Sequence, residues 1–252
     1  MSNRGVRVYT LDGGLVQATG MDAAEMADDD AYADRTLIMP VPCFLIRHAD
    51  GDLVWDSGMS RTRTDLGAWA RPGPSLIDQL GQLGVKPADI RFLCLSHGHW
   101  DHSGNAGLFA RSTWIVNPLE RAAMFDDESR QGQAMDDYGG LETADTLLIT
   151  EDHDVFGDGS VVIIQAPGHT PGHAVLLLRL AGARPILLSG DLWHLAESRM
   201  HRRVPTFNTD RDQTLASMDR VEALVAEVGA RVIVQHEAAD FETLPRLPNY
   251  LS

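Results

Sequence analysis

Short apolar runs rich in Val, Ile and Leu recur along the chain, each closed by Gly, Asp or Pro. They predict strands at Val6–Leu11, Cys43–Arg47 and Leu53–Asp56, with a hairpin turn at Ala49, Asp50, Gly51 and Asp52 between the last two. Further strands are predicted at Ile90–Leu95, Thr113–Val116, Val161–Gln165, Ala174–Leu180, Pro185–Ser189 and Val232–Val234. The apolar period lengthens to that of a helix at Ser75–Leu83, which Gly84 closes, and after Pro118 through about Phe125. Asp210–Val228 is the clearest helix: Leu215, Met218, Val221, Leu224, Val225 and Val228 share one face, and Gly229 ends it. Two β-rich halves, each followed by helices, imply an α/β sandwich of two mixed sheets with helices outside. The hairpin signals argue against a doubly wound parallel sheet.

Composition sharpens this picture. The chain has 252 residues, of which 44% are hydrophobic and 23% charged, as expected for one folded domain over 1–252. The formal net charge of −15 disfavours nucleic acid and anionic membrane surfaces as partners. No apolar run reaches the length of about 18 residues that a membrane span needs. The start lacks the apolar stretch of a signal peptide, so a cytoplasmic location is expected. Cys43 and Cys94 sit inside apolar runs and read as inert buried thiols. The acidic segment Met21–Asp34 reads as a solvated loop or short helix, or as a flap whose methionines cover an apolar pocket.

The chemistry concentrates in Ser96-His97-Gly98-His99-Trp100-Asp101-His102, directly after a predicted strand. A strand end presents side chains from a rigid base, and imidazole with carboxylate suits zinc, with cobalt, manganese or iron as alternatives. His169, Asp191 and His236 also follow predicted strands, so all of these groups can converge at one end of a sheet pair.

This ordered set resembles the metallo-β-lactamase superfamily, whose hallmark is His-x-His-x-Asp-His followed by separate His, Asp and His ligands. Within it the chain looks like the quorum-quenching N-acyl-homoserine lactone lactonases, through Pro42 to His48, Trp55 to Gly58, Ser96 to Gly104, and Gly190 with Asp191. The resemblance implies an αββα sandwich and two metals, expected as two zinc ions per chain. One would be held by His97, His99 and His169, the other by Asp101, His102 and His236, with Asp191 bridging. It further implies a bridging hydroxide that attacks the lactone carbonyl, with Asp101 passing a proton to the departing alkoxide. A homodimer and a small neutral lactone substrate are expected on the same ground. Where such lactonases carry a tyrosine three residues after the bridging aspartate, this chain has His194, whose N–H can donate the same hydrogen bond to substrate.

Other candidates are weighed on the residues themselves. Trp100 is placed at the pocket rim, and Trp193, Met21, Met26 and Phe109 are candidate acyl-chain contacts. Asp56 is read as orienting a ligating histidine, His173 as a supporting hydrogen bond, and Ser57 and Ser189 as turn residues. His48, His153 and His201 read as surface residues. The same donor set also admits another lactone, a carboxylester, a thioester or an organophosphate as substrate. A non-catalytic or di-iron redox protein is the rival of another class.

Overall fold

The computed structural model describes residues 5–63, 66–132 and 134–252, so the first four residues, part of the start read for a signal peptide, lie outside the described residues. Seven strands form the first sheet: β1 Arg7–Thr19, β2 Thr36–His48, β3 Gly51–Trp55, β4 Ala70–Pro72, β5 Phe92–Cys94, β6 Thr113–Val116 and β7 Thr146–Leu148. Five more form the second: β8 His153–Asp154, β9 Val161–Gln165, β10 Ala174–Leu178, β11 Ile186–Leu188 and β12 Arg231–Ile233. The spatial orders are β4-β1-β2-β3-β5-β6-β7 and β12-β11-β10-β9-β8. Both sheets are mixed. The β2–β3 hairpin is antiparallel and β3, β5, β6 and β7 run parallel, while β11 and β12 form the parallel pair of the second sheet.

The alternation along each strand builds the layers. Phe44, Ile46, Leu53, Trp55 and Cys94 point inward and meet Ile163, Leu176, Leu178, Leu188 and Ile233 of the other sheet. Their neighbours Leu45, Val54, Leu93 and Trp114 point outward, into the layer between this sheet and the helices outside it. The helices are α1 Met21–Ala24, α2 Leu76–Gln82, α3 Trp100–Ser103, α4 Pro118–Met124, α5 Ala134–Tyr138, α6 Ala196–His201, α7 Arg211–Val228 and α8 Ala238–Glu242. On the first sheet the outward residues pack with Leu76 and Leu80 of α2 and Met124 of α4. On the second, Val175, Leu177 and Leu187 pack with Met218, Val221 and Val225 of α7. Asp210 caps α7 by accepting the Gln213 N–H, and Gly229 closes it in the left-handed conformation. The result is the expected αββα sandwich.

Several elements differ from the sequence expectation. Strands β1 and β2 are each 13 residues long, because they pair along their whole length around a bulge between Asp12 and Leu15. The short strands β4, β7 and β8 went unpredicted, since none has enough apolar residues to show alternation. Cys43 and Cys94 are buried and unpaired with each other, as expected. His48, read as a surface residue, is instead buried: its ring stacks on Phe156 at 4.0 Å and its Nε2 lies 3.2 Å from Asp158. His153 is half-buried in β8, and His201 is exposed at the end of α6.

The acidic segment is strapped down rather than freely solvated. Ala23, Ala27 and Tyr32 are buried, the Thr206 N–H donates to the Glu25 carbonyl, and Asp28 and Asp29 pair with Arg211 and Arg203. Among the described residues no helix is long and apolar enough to cross a membrane.

Candidate metal centre

The loops that follow β5, β9, β11 and β12 meet at one end of the sandwich, and they carry all seven side chains singled out for metal binding. Donor atoms of His97, His99, His169 and Asp191 lie within 4.8 Å of one another, as do those of Asp101, His102 and His236. Asp191 joins the two groups: its Oδ1 is 3.0 Å from His102 Nε2 and from His236 Nε2, and its Oδ2 is 3.5 Å from His169 Nε2 and 3.6 Å from His97 Nε2.

Three of the imidazoles are oriented from behind. His102 Nδ1–H donates to Asp56 at 2.9 Å, His236 Nδ1–H to the Pro40 carbonyl at 2.9 Å, and His169 Nδ1–H to Asn208 Oδ1 at 3.0 Å. These partners accept, so the proton sits on the outer nitrogen and the inner nitrogen keeps its lone pair. Inner nitrogens then face each other, His102 Nε2 and His236 Nε2 at 3.2 Å, His99 Nδ1 and His169 Nε2 at 3.1 Å. His97 Nε2 and Asp191 Oδ1 are buried without a hydrogen-bond partner. Lone pairs packed against lone pairs are stable only with positive charge among them, so this donor set fits a pair of divalent cations.

The titration directions agree. Burial, with repulsion among neighbouring imidazoles, holds His97 and His99 well below the usual histidine range. Burial opposes ionisation of Asp191, yet His102, His236, His194 and His97 around it keep its carboxyl well below the usual range. Burial also disfavours charge on His102 and His236, but Asp191 and its companion carboxylates raise both, leaving a demand for cationic charge that a metal can meet.

Asp56 organises this region beyond His102. It adopts a left-handed backbone (φ 57) and accepts from the Ser96 N–H and Oγ–H, His102 Nδ1–H and Gln235 Nε2–H. Gln235 Oε1 accepts from Trp55 Nε1–H and the Gly190 N–H, so one buried network links the three ligand-bearing loops after β5, β11 and β12. His173 plays the supporting part expected of it. Its Nε2 accepts the Asp191 N–H, its Nδ1–H donates to the Ala166 carbonyl, and burial holds it neutral with a pKa of about 3. Ser57 and Ser189 do more than turn the chain. Ser57 Oγ–H donates to the His102 carbonyl and accepts the Asn105 N–H, and Ser189 accepts the Gln235 N–H.

A cavity of about 360 Å³ opens onto the cluster. Asp101, Asp191, His194 and His236 reach its floor, and Trp69, Trp100, Met26, Met39, Val16 and Phe207 supply apolar wall. Trp69 and Trp100 meet edge to face at 5.3 Å. His194 is buried, its Nε2 is 3.1 Å from Asp191 Oδ2, and burial keeps it below the usual histidine range, so it is a neutral N–H donor.

Three proposed acyl-chain contacts are corrected. Trp193 is fully buried between the second sheet and α7, because the extended backbone there sends alternate side chains opposite ways and His194 takes the cavity side. Phe109 is buried behind the first sheet, in the layer that also holds Trp114. Met21 is 79% exposed and does not line the cavity; Met26, in the turn after α1, does. Sequence reasoning missed Phe207, Trp69, Asn208, Gln235 and Glu120. Gln235 alone carried a hint, its place beside His236; the others sit in loops or helix starts without periodicity.

Comparison with known proteins agrees with this geometry. The chain is 31% identical to an N-acyl homoserine lactonase AttM from Rhizobium johnstonii, covering 98% of this chain and 99% of that one. An N-acyl homoserine lactonase from a Bacillus species is 25% identical over 85% of this chain and 88% of its own. Among solved structures, a quorum-quenching N-acyl homoserine lactone lactonase superposes with a TM-score of 0.84 over 100% of both chains at 22% identity. The model of the metallo-beta-lactamase superfamily matches residues 38–236, which run from within β2 to the last histidine of the cluster. By sequence family, by sandwich and by the order of its ligand-bearing loops, this chain belongs to the metallo-beta-lactamase superfamily.

Proposed function

We propose that this protein is a dinuclear metal-dependent lactonase that opens the ring of N-acyl-homoserine lactones. The observation that carries the reading is an apolar cavity opening directly onto two facing donor groups, in a chain 31% identical to an N-acyl homoserine lactonase. Among the described residues lining that cavity there is no Lys or Arg, and Asp22 and Glu25 stand among them. Such a cavity accepts a neutral lactone with an apolar tail and repels phosphodiesters and other anions.

His97, His99 and His169 would hold one cation, Asp101, His102 and His236 the other, and Asp191 would bridge them. Bound there, the pair supplies a water of lowered pKa as nucleophile and Lewis acidity for the acyl oxygen. His194 Nε2–H lies beside Asp191 at the cavity floor and is the donor placed to hold the lactone carbonyl. Asp101 faces the same space and is the carboxylate placed to pass a proton to the ring oxygen as the acyl C–O bond breaks. The wall of Trp69, Trp100, Met26 and Phe207 receives the acyl chain and keeps water from it. The product gains a carboxylate, which Asp22 and Glu25 at the mouth help to expel. Zinc as the resident metal and a homodimer as the working form belong to the same proposal.

The test combines elemental analysis with proton release. Two metal equivalents per chain, mostly zinc, are expected, with highest kcat/KM on acyl-homoserine lactones among simple lactones, thioesters, a phosphotriester and a β-lactam. A thioester or phosphotriester turned over faster than every acyl-homoserine lactone overturns the substrate assignment.

A further inference from the structure

One buried carboxylate near the cluster belongs to neither donor group. Glu120, the third residue of α4, is 2% exposed. Its Oε1 accepts the Gly98 N–H at 2.7 Å, and its Oε2 accepts the Thr170 Oγ–H at 2.7 Å and the Gly172 N–H at 2.9 Å. Gly98 lies between His97 and His99, and Thr170 follows His169. The carboxylate therefore ties the His97–His99 stretch to the His169 loop, joining the three histidines of one donor group, and makes no bond to Asp101, His102 or His236 of the other.

The packing around α4 is built for this approach. A Cβ on Gly98 would lie 2.5 Å from Met124 Cγ, and one on Gly172 would lie 2.7 Å from Glu120 Cβ. Asn117 caps α4 through the Leu119 N–H and donates from Nδ2 to Gln165 Oε1, which fixes the start of the helix to the end of β9. An isolated buried carboxylate is costly, and here three donors offset that cost. Both oxygens are needed as acceptors, a requirement that glutamine, with one acceptor and one donor end, cannot meet.

We propose that Glu120 is a positioning residue for one half of the metal centre: it sets the distance between the His97/His99 loop and the His169 loop, and so the affinity of that half alone for a cation. The inference rests on the dinuclear reading given above. Asp56 contrasts with it, since Asp56 bonds the imidazole of His102 directly while Glu120 touches only backbone and a hydroxyl beside the ligands.

The test strips the purified protein with a chelator and titrates it with cobalt(II) alone, reading equivalents bound and the visible absorption bands. The wild type is expected to bind two equivalents. Glu120→Gln is expected to keep one at full affinity and to weaken the other by about 10–100-fold. The spectrum of its single remaining equivalent should match that of His169→Ala and differ from that of His236→Ala. Thr170→Val, which removes one of the three donors, should weaken the same equivalent by about tenfold, and Thr170→Ser should restore it. Fewer than two equivalents in the wild type overturns the dinuclear reading itself. Two in the wild type, with both unchanged or both weakened alike in Glu120→Gln, overturns the clamp and leaves that reading intact. Should Glu120→Gln fail to fold, an unchanged affinity in Thr170→Val overturns the clamp equally.

Discussion

The floor and the mouth of the cavity are built by different physics. On the floor, polar side chains are buried and each is fixed by directional bonds, His102 to Asp56, His236 to Pro40, His169 to Asn208. At the mouth, Trp69, Met26, Phe207 and Val16 come from four separate segments and meet mainly through apolar contact. Trp69 and Phe207 remain 38% and 42% exposed. A buried polar network loses much when one member changes, because the orphaned partners cannot turn to water. An apolar, half-solvated wall gives way gradually. The chemistry is therefore set rigidly by the floor, while the choice of acyl chain is left to a surface that tolerates change.

Substitutions can break or sharpen this contrast. The largest effect is expected from Asp56→Asn, which keeps a residue that tolerates the left-handed backbone but turns a donor toward one of the four groups now facing an acceptor. Metal affinity and turnover should both fall by about 10–100-fold, read by chelator competition and proton release. An unchanged metal content would mean that the network is not what holds the floor. His194→Phe should come next, with kcat lower by about tenfold through loss of one hydrogen bond to the carbonyl, and with two metal equivalents retained. Loss of a metal equivalent there would move His194 from substrate donor to ligand support. Phe207→Ala should have the smallest effect, raising KM about three- to fivefold for long-chain lactones and leaving short ones near wild type, as kinetics over a chain-length series will show. A uniform change in kcat across that series would place Phe207 with the floor.

The same division governs what could be read from the sequence. The seven ligand-type residues stood out because metal coordination needs rare residue types at strand ends, and His97 to His102 collect them in one stretch. The sandwich followed from short continuous apolar runs such as β9 and β10, which are apolar throughout because their inward and outward faces are both buried. Asp56 was legible as a partner of a ligand, since it follows a strand facing the motif. Glu120 was not: an acid at the third position of a helix is what the helix dipole alone would favour, so its tertiary role carries no separate signal. The mouth was read least well. Met21 and Trp193 were chosen for residue type, and the true wall residues Phe207 and Trp69 lie in loops whose course depends on contacts far away in sequence. His48 escaped for a similar reason, being buried by Phe156 from a distant turn.

The strap across the acidic segment has a consequence for behaviour in solution. Arg203 and Arg211 pair with Asp29 and Asp28 across the surface, and the stretch between those arginines carries both Phe207 of the wall and Asn208, which steadies His169. Exposed pairs of this kind weaken as counter-ions crowd around them, whereas the ligand network is sheltered. Added salt should thus slacken the gateway before it disturbs the reaction centre, so that tolerance for bulky tails shifts with ionic strength while turnover of the smallest lactones holds steady.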